Sequence, residues 1–154
     1  MYQKFRWLIF VLILLLASTN LAGCSSGTSS QDENTHDVVM ADMSAMPSQV
    51  QSAPQMVRDA YRFAATHAHE LHQIPCYCGC GAMGHSSNYD CFWQEEGKVD
   101  EHALNCGICV DIAQDVRRGL ERGQSMAEIR AQIDADYSRF GPPTDTAPVA
   151  VVTE

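Results

Sequence analysis

Residues 119–128 read Gly119-Leu120-Glu121-Arg122-Gly123-Gln124-Ser125-Met126-Ala127-Glu128. This stretch ends one helix and begins another. Gly123 supplies the left-handed residue that commonly terminates a helix. Ser125 followed three residues later by Glu128 is a capping box, in which side chains and backbone satisfy each other's free amides. Upstream, Ile108, Ile112, Val116 and Leu120 recur every four residues, bordered by Cys106, Cys109 and Ala113, and predict a helix over 103–122. Downstream, Met126, Ile129, Ile133, Tyr137 and Phe140 form the apolar stripe of a helix that Gly141-Pro142-Pro143 stops. A link of a few residues makes the two an antiparallel hairpin. Another helix is expected over 54–72, where Pro54 suits the first turn and Val57, Tyr61, Ala64, Ala68 and Leu71 share one face. The expected fold is all-α, a small three-helix bundle. An irregular cysteine-rich loop over 73–101, with no convincing strand pattern, separates helices one and two.

The ends differ from this core. Lys4 and Arg6 precede an apolar run from Leu8 to Ala17, which fits a signal-peptide core better than a membrane span. Leu21-Ala22-Gly23-Cys24 resembles a bacterial lipobox, so residues 1–23 are expected to be a lipoprotein signal peptide and Cys24 the lipidated first residue of the mature chain. That places the protein on the extracytoplasmic side of a cell membrane, held by its lipid. Residues 24–53 are rich in Ser, Thr, Gln, Asp and Asn and are expected to form a flexible tether. The folded domain then covers 54–141, and 142–154 is expected to be a disordered tail. A domain this small benefits from a metal or disulfide staple.

Without residues 1–23 the chain carries 8 basic and 19 acidic residues, a net charge of −11. Long-range attraction then has the wrong sign for nucleic acid or anionic lipid and favours cations and basic proteins. There is no phosphate-cradling glycine loop and no C-x-x-C-H haem attachment signature. The acidic pairs Glu95-Glu96 and Asp100-Glu101 lie in a polar loop and read as solvated.

The chemistry lies in Pro75-Cys76-Tyr77-Cys78-Gly79-Cys80-Gly81, followed by Cys91 and by Cys106-Gly107-Ile108-Cys109. Alternating cysteines close strained rings when bonded to each other. Crowded soft thiolates suit a soft metal ion or thiol–disulfide exchange. Gly79 and Gly81 let the chain turn its thiols inward. Cys106 and Cys109 lie on one face at a helix start, where the dipole is expected to lower their pKa. Six cysteines beyond Cys24 also permit structural disulfides in an exported protein. His85 and His102, close in sequence to the cysteines, are further ligand candidates. His67, His69 and His72 precede the cluster, and His67 reads as a solvated polar-face residue. In the tether, Met40, Met43 and Met46 repeat every three residues with His36 upstream, an auxiliary thioether set that would select Cu(I).

Together with Gly84-His85-Ser86-Ser87 and Asp90-Cys91-Phe92, these motifs resemble those of the bacterial PCYCGC-motif lipoproteins over residues 57–141. The resemblance implies an exported, anchored protein with a metal site. A weaker similarity, through Gly123-Gln124-Ser125, Tyr137 and Phe140-Gly141, is to cytochrome c maturation thiol oxidoreductases with a three-helix fold. It implies a redox cysteine pair, here Cys106 and Cys109. The leading expectation is a lipid-anchored Cu(I)-binding protein for delivery, storage or tolerance, with zinc the alternative metal. Its ligands would be Cys76, Cys78, Cys80, Cys91, Cys106 and Cys109, with His85 and His102. Its partner would be a metal acceptor or a cytochrome or oxidase assembly protein. Two alternatives stand beside it: a thiol–disulfide oxidoreductase or assembly factor using Cys106/Cys109, and a disulfide-stapled interaction module.

Overall fold

The computed structural model describes residues 36–94 and 97–149. The expected signal peptide over 1–23, Cys24 and the rest of the expected tether before His36, together with Glu95, Glu96 and residues 150–154, lie outside the described residues. Five α-helices occur among the described residues: α1 (Ser48–Gln51), α2 (Gln55–Thr66), α3 (Ala68–Leu71), α4 (Gly107–Glu121) and α5 (Met126–Tyr137). The described residues contain no strand, only an isolated bridge between Trp93 and Val99. The all-α expectation holds. No helix among the described residues is long and apolar enough to cross a membrane.

Helix α4 is central and packs against both α2 and α5. Its buried residues include Cys109, Ile112, Ala113 and Val116. The α4–α5 link follows the sequence pattern closely. Gly123, at φ +69°, donates its N–H to Leu120 O at 2.9 Å, and Gln124 donates to Gly119 O at 3.0 Å. These are the two bonds of a Schellman C-cap. Both halves of the Ser125–Glu128 capping box are present. The helices approach closely at Gly119, where an added Cβ would lie 2.6 Å from Ile129 Cγ1.

Four expectations need correction. The first concerns helix one, which breaks into α2 and α3 at His67 (φ −124°, ψ 40°), with Pro54 capping α2 from outside. The His67 ring stacks on Phe63 at 4.4 Å, and its Nδ1 lies 3.2 Å from Phe63 O. It is engaged with the preceding turn, not free on a polar face. Second, Phe140 lies beyond α5 and is 49% exposed, so it is not part of that helix's buried stripe.

Third, residues 36–53 are folded onto the helices, not a loose tether. Val50 is fully buried and Met46 is 5% exposed. Arg62 donates to Ala41 O at 2.6 Å, Ala41 N–H donates to Arg62 O at 3.2 Å, and His36 N–H donates to Glu121 O at 2.9 Å. Polar composition concealed this because much of the docking runs through the backbone. Fourth, residues 142–149 return across the cysteine loop. Thr144 is buried, its N–H donates to Cys76 O at 2.9 Å, and its hydroxyl accepts from Cys76 N–H at 2.9 Å. Arg130 adds a bond to Ala147 O at 3.3 Å.

Candidate metal centre

The loop after α3 brings the thiols together through short turns. Asn88 N–H donates to Ile74 O at 2.8 Å, and its side-chain amide donates to Cys109 O at 3.2 Å, tying the loop to α4. Asn88 Oδ1 is buried without a partner. At Gly79, φ is +86°, a conformation costly for other residues, and the chain turns there from Cys78 into a 3₁₀ turn over Cys80–Met83. Cys91 ends a second 3₁₀ turn, Tyr89–Cys91. Cys106 caps the start of α4 in an extended conformation, and Cys109 lies in its first turn.

All six described cysteines are free thiols. Cys76 Sγ lies 3.4 Å from Cys78 Sγ and 3.4 Å from Cys109 Sγ, and Cys78 and Cys109 are 3.5 Å apart. Cys80 and Cys91 form a second contact at 3.5 Å. His102 Nε2 is 3.3 Å from Cys78 Sγ, and His85 Nδ1 is 3.5 Å from Cys91 Sγ. Three overlapping groups bring their ligand atoms within 4.8 Å of one another: Cys76–Cys78–Cys91–Cys109, Cys78–Cys80–Cys91–His102, and Cys78–His102–Cys106–Cys109. Cys78 belongs to all three. A tetrahedral ion with ~2.3 Å bonds to sulfur holds its sulfurs about 3.8 Å apart. The thiols therefore need to move only slightly to hold a metal ion.

The protons are unevenly shared. The bond with Cys109 is the largest influence on both Cys76 and Cys78 and helps hold both well below the usual thiol value. The same bonds keep the proton on Cys109 and raise it. Burial raises Cys106. The expected depression at Cys106 and Cys109 is thus reversed: burial and proton sharing outweigh the helix terminus, and the thiolate character lies at Cys76 and Cys78.

Asp100, expected to be solvated, is instead part of the site. It sits under the histidines, with Oδ2 3.5 Å from His85 Nε2 and Oδ1 accepting the His102 N–H at 2.8 Å. Burial pulls its carboxyl upward, but bonds from Gln94 and His102 and the nearby imidazoles hold it below the ordinary aspartate value. A carboxylate behind an imidazole is the usual support of a metal-ligating histidine. Its position two residues before His102 was the only signal in the sequence. Thr144 offered none.

The remaining candidates sit elsewhere. Met46 is in the core, with Met40 and Met43 packed against it, so the run is not an exposed thioether tract. His69 is exposed, and His72 packs on Tyr89 at 4.4 Å; neither joins the three groups above.

A family model described as "Protein of unknown function with PCYCGC motif" matches residues 12–149. The chain belongs to this family. Neither a curated protein nor a solved structure matches it. The family's signature, Pro75 to Cys80 in this chain, thus supplies three of the six sulfurs of the cluster.

Proposed function

We propose that this member of the PCYCGC-motif family is a lipid-anchored, extracytoplasmic protein that holds Cu(I) in a shared-thiolate cluster, for delivery, storage or tolerance. One observation carries the reading: six free thiols and the His102 imidazole converge in three overlapping sets that share Cys78, with His85 touching Cys91 from outside those sets. One tetrahedral zinc ion takes four ligands and leaves the other thiols unused. Monovalent soft ions that share bridging sulfurs use all of them, and thiolate ligands select Cu(I). Metal binding also offsets the cost of gathering thiolates in a buried place, because protons leave as the metal enters. The anchor would be the lipid on Cys24, and the partner a metal acceptor or a cytochrome or oxidase assembly protein. The alternative redox pair has the wrong electrostatics for an attacking thiol, since Cys109 is buried and both Cys106 and Cys109 are shifted upward.

The test is anaerobic purification of the full chain in detergent, with metal content and free thiols measured together. More than one copper per chain, with six reduced thiols recovered after removal of the metal, is the expected result. One zinc per chain with no copper uptake rejects the cuprous reading. Six oxidised cysteines that take up no metal after mild reduction would falsify metal binding altogether. For the anchor, Cys24→Ala is expected to release the protein from membranes.

A further inference from the structure

An open cavity of about 680 Å³ lies beside the cluster, lined by Met83, His85, Val99, Asp100, Glu101 and His102 among others. That volume is in the range of small-ligand sites. The two histidines belong to both places. They line the cavity, and their ring nitrogens touch Cys78 and Cys91 at 3.3 and 3.5 Å. Cys91 itself has no exposure and touches the His85 ring, and Cys80, 1% exposed, lies against Cys91 at 3.5 Å. Met83 ends the same 3₁₀ turn that begins at Cys80. It is 58% exposed, one of four large apolar side chains left open to solvent among the described residues. Its thioether is a soft neutral donor that resists loss to oxidation better than a free thiol. It lines the cavity with His85 and His102, and the two carboxylates there, Asp100 and Glu101, outnumber the one ammonium, Lys98.

We propose that soft monovalent metal ions enter and leave the cluster through this cavity, with Met83 as the first protein ligand and His102 and His85 passing the ion to Cys78 and Cys91. This rests on the metal-binding reading above and adds a route and a residue to it. The exchange partner is a carrier that presents the ion on thioether or thiolate sulfur. Each bond from metal to carrier is replaced by one from metal to protein, the oxidation state is unchanged, and thiol protons are released to solvent as sulfur binds. An imidazole step suits such exchange because it is a weaker ligand for Cu(I) than thiolate and releases the ion inward.

The experiment loads the full chain with Cu(I) anaerobically and follows, by stopped flow, transfer to a chromophoric Cu(I) chelator and loading from a Cu(I)–methionine peptide. Met83→Leu keeps size and hydrophobicity while removing the sulfur. It is expected to slow both directions on the order of tenfold, as loss of a supporting group at a metal site commonly does, with copper stoichiometry unchanged. Met83→Cys, which restores a soft sulfur, is expected to recover the rate. Met56→Leu, a control at another exposed methionine (56% exposed), leaves it alone. Equal rates in wild type and Met83→Leu, with copper bound in both, overturn the port and leave the cluster standing. A wild-type chain that binds no Cu(I) overturns both.

Discussion

Thr144→Val tests whether the C-terminal segment holds the first cysteine of the cluster. The substitution keeps the volume and removes the hydroxyl. In the native structure that oxygen accepts the Cys76 N–H at 2.9 Å, and Cys76 is fully buried. No water can replace the lost acceptor without opening the loop. An unsatisfied buried amide costs about 1–3 kcal/mol. The second bond of the clasp, Thr144 N–H to Cys76 O, survives because it is backbone. The hydroxyl also pairs with Thr146 Oγ1 at 2.9 Å, and that partly exposed bond is lost with it. At roughly 4 °C per kcal/mol for a domain of this size, the midpoint should fall by roughly 4–12 °C. Thermal unfolding of the metal-free, reduced chain measures this directly. Thr146→Val removes the Thr144 hydroxyl's other partner and a bond to Ser86 O but leaves the Cys76 N–H its acceptor, so it should cost less than Thr144→Val. Truncation after Gly141 removes both bonds of the clasp and should cost more than Thr144→Val. If Thr144→Val and the truncation both lie within about 0.5 kcal/mol of wild type, the range of ordinary surface changes, the tail does not clamp Cys76.

Other outcomes follow from the same geometry. Cys78→Ser removes the sulfur common to all three ligand groups and should lower the bound metal-to-protein ratio more than Cys106→Ser, whose sulfur belongs to one group; metal analysis after gel filtration decides. Asp100→Asn removes the carboxylate behind His85 and should weaken metal affinity by about 10–100-fold with the fold intact, read by chelator competition and circular dichroism. Tyr137 donates to Asp115 Oδ2 at 2.6 Å, and burial together with that carboxylate raises its pKa above the ordinary 10.0. A raised value stabilises the protonated form in the folded state. Its contribution is therefore complete below pH 10 and lost as pH climbs above it. Tyr137→Phe should cost about 1 kcal/mol at pH 8 and flatten the alkaline decline in urea midpoints. An unchanged alkaline limb would show that another group controls it.

The sequence was legible where structure depends on near neighbours. The α4–α5 hairpin came through because Gly123 and the Ser125–Glu128 box act within one turn of their own chain. The break of helix one at His67 is not legible in the sequence, because it accompanies stacking of the His67 ring on Phe63, which apolar spacing does not reveal. The docking of residues 36–53 and 142–149 is hidden for a related reason. Low hydrophobicity normally marks disorder, but here Met46 and Val50 enter the core, and backbone bonds to Arg62, Glu121 and Cys76 hold the rest. Asp100 was missed because a carboxylate in a polar loop shows its role only when the histidines fold over it.

By itself, the amino-acid order determined the helical class, the hairpin and the supply of soft ligands around Cys76–Cys80, Cys91 and Cys106–Cys109. These follow from local periodicity, capping and side-chain chemistry. Only the tertiary structure decided which sulfurs meet. Cys76 and Cys109 are 33 positions apart, and their contact requires the loop to close onto α4, with Asn88 and Thr144 satisfying the backbone that closure buries. Tertiary structure also shifts the thiols' acidities, Cys76 and Cys78 downward and Cys109 upward, because contacts at 3.4–3.5 Å outweigh the local field of a helix terminus.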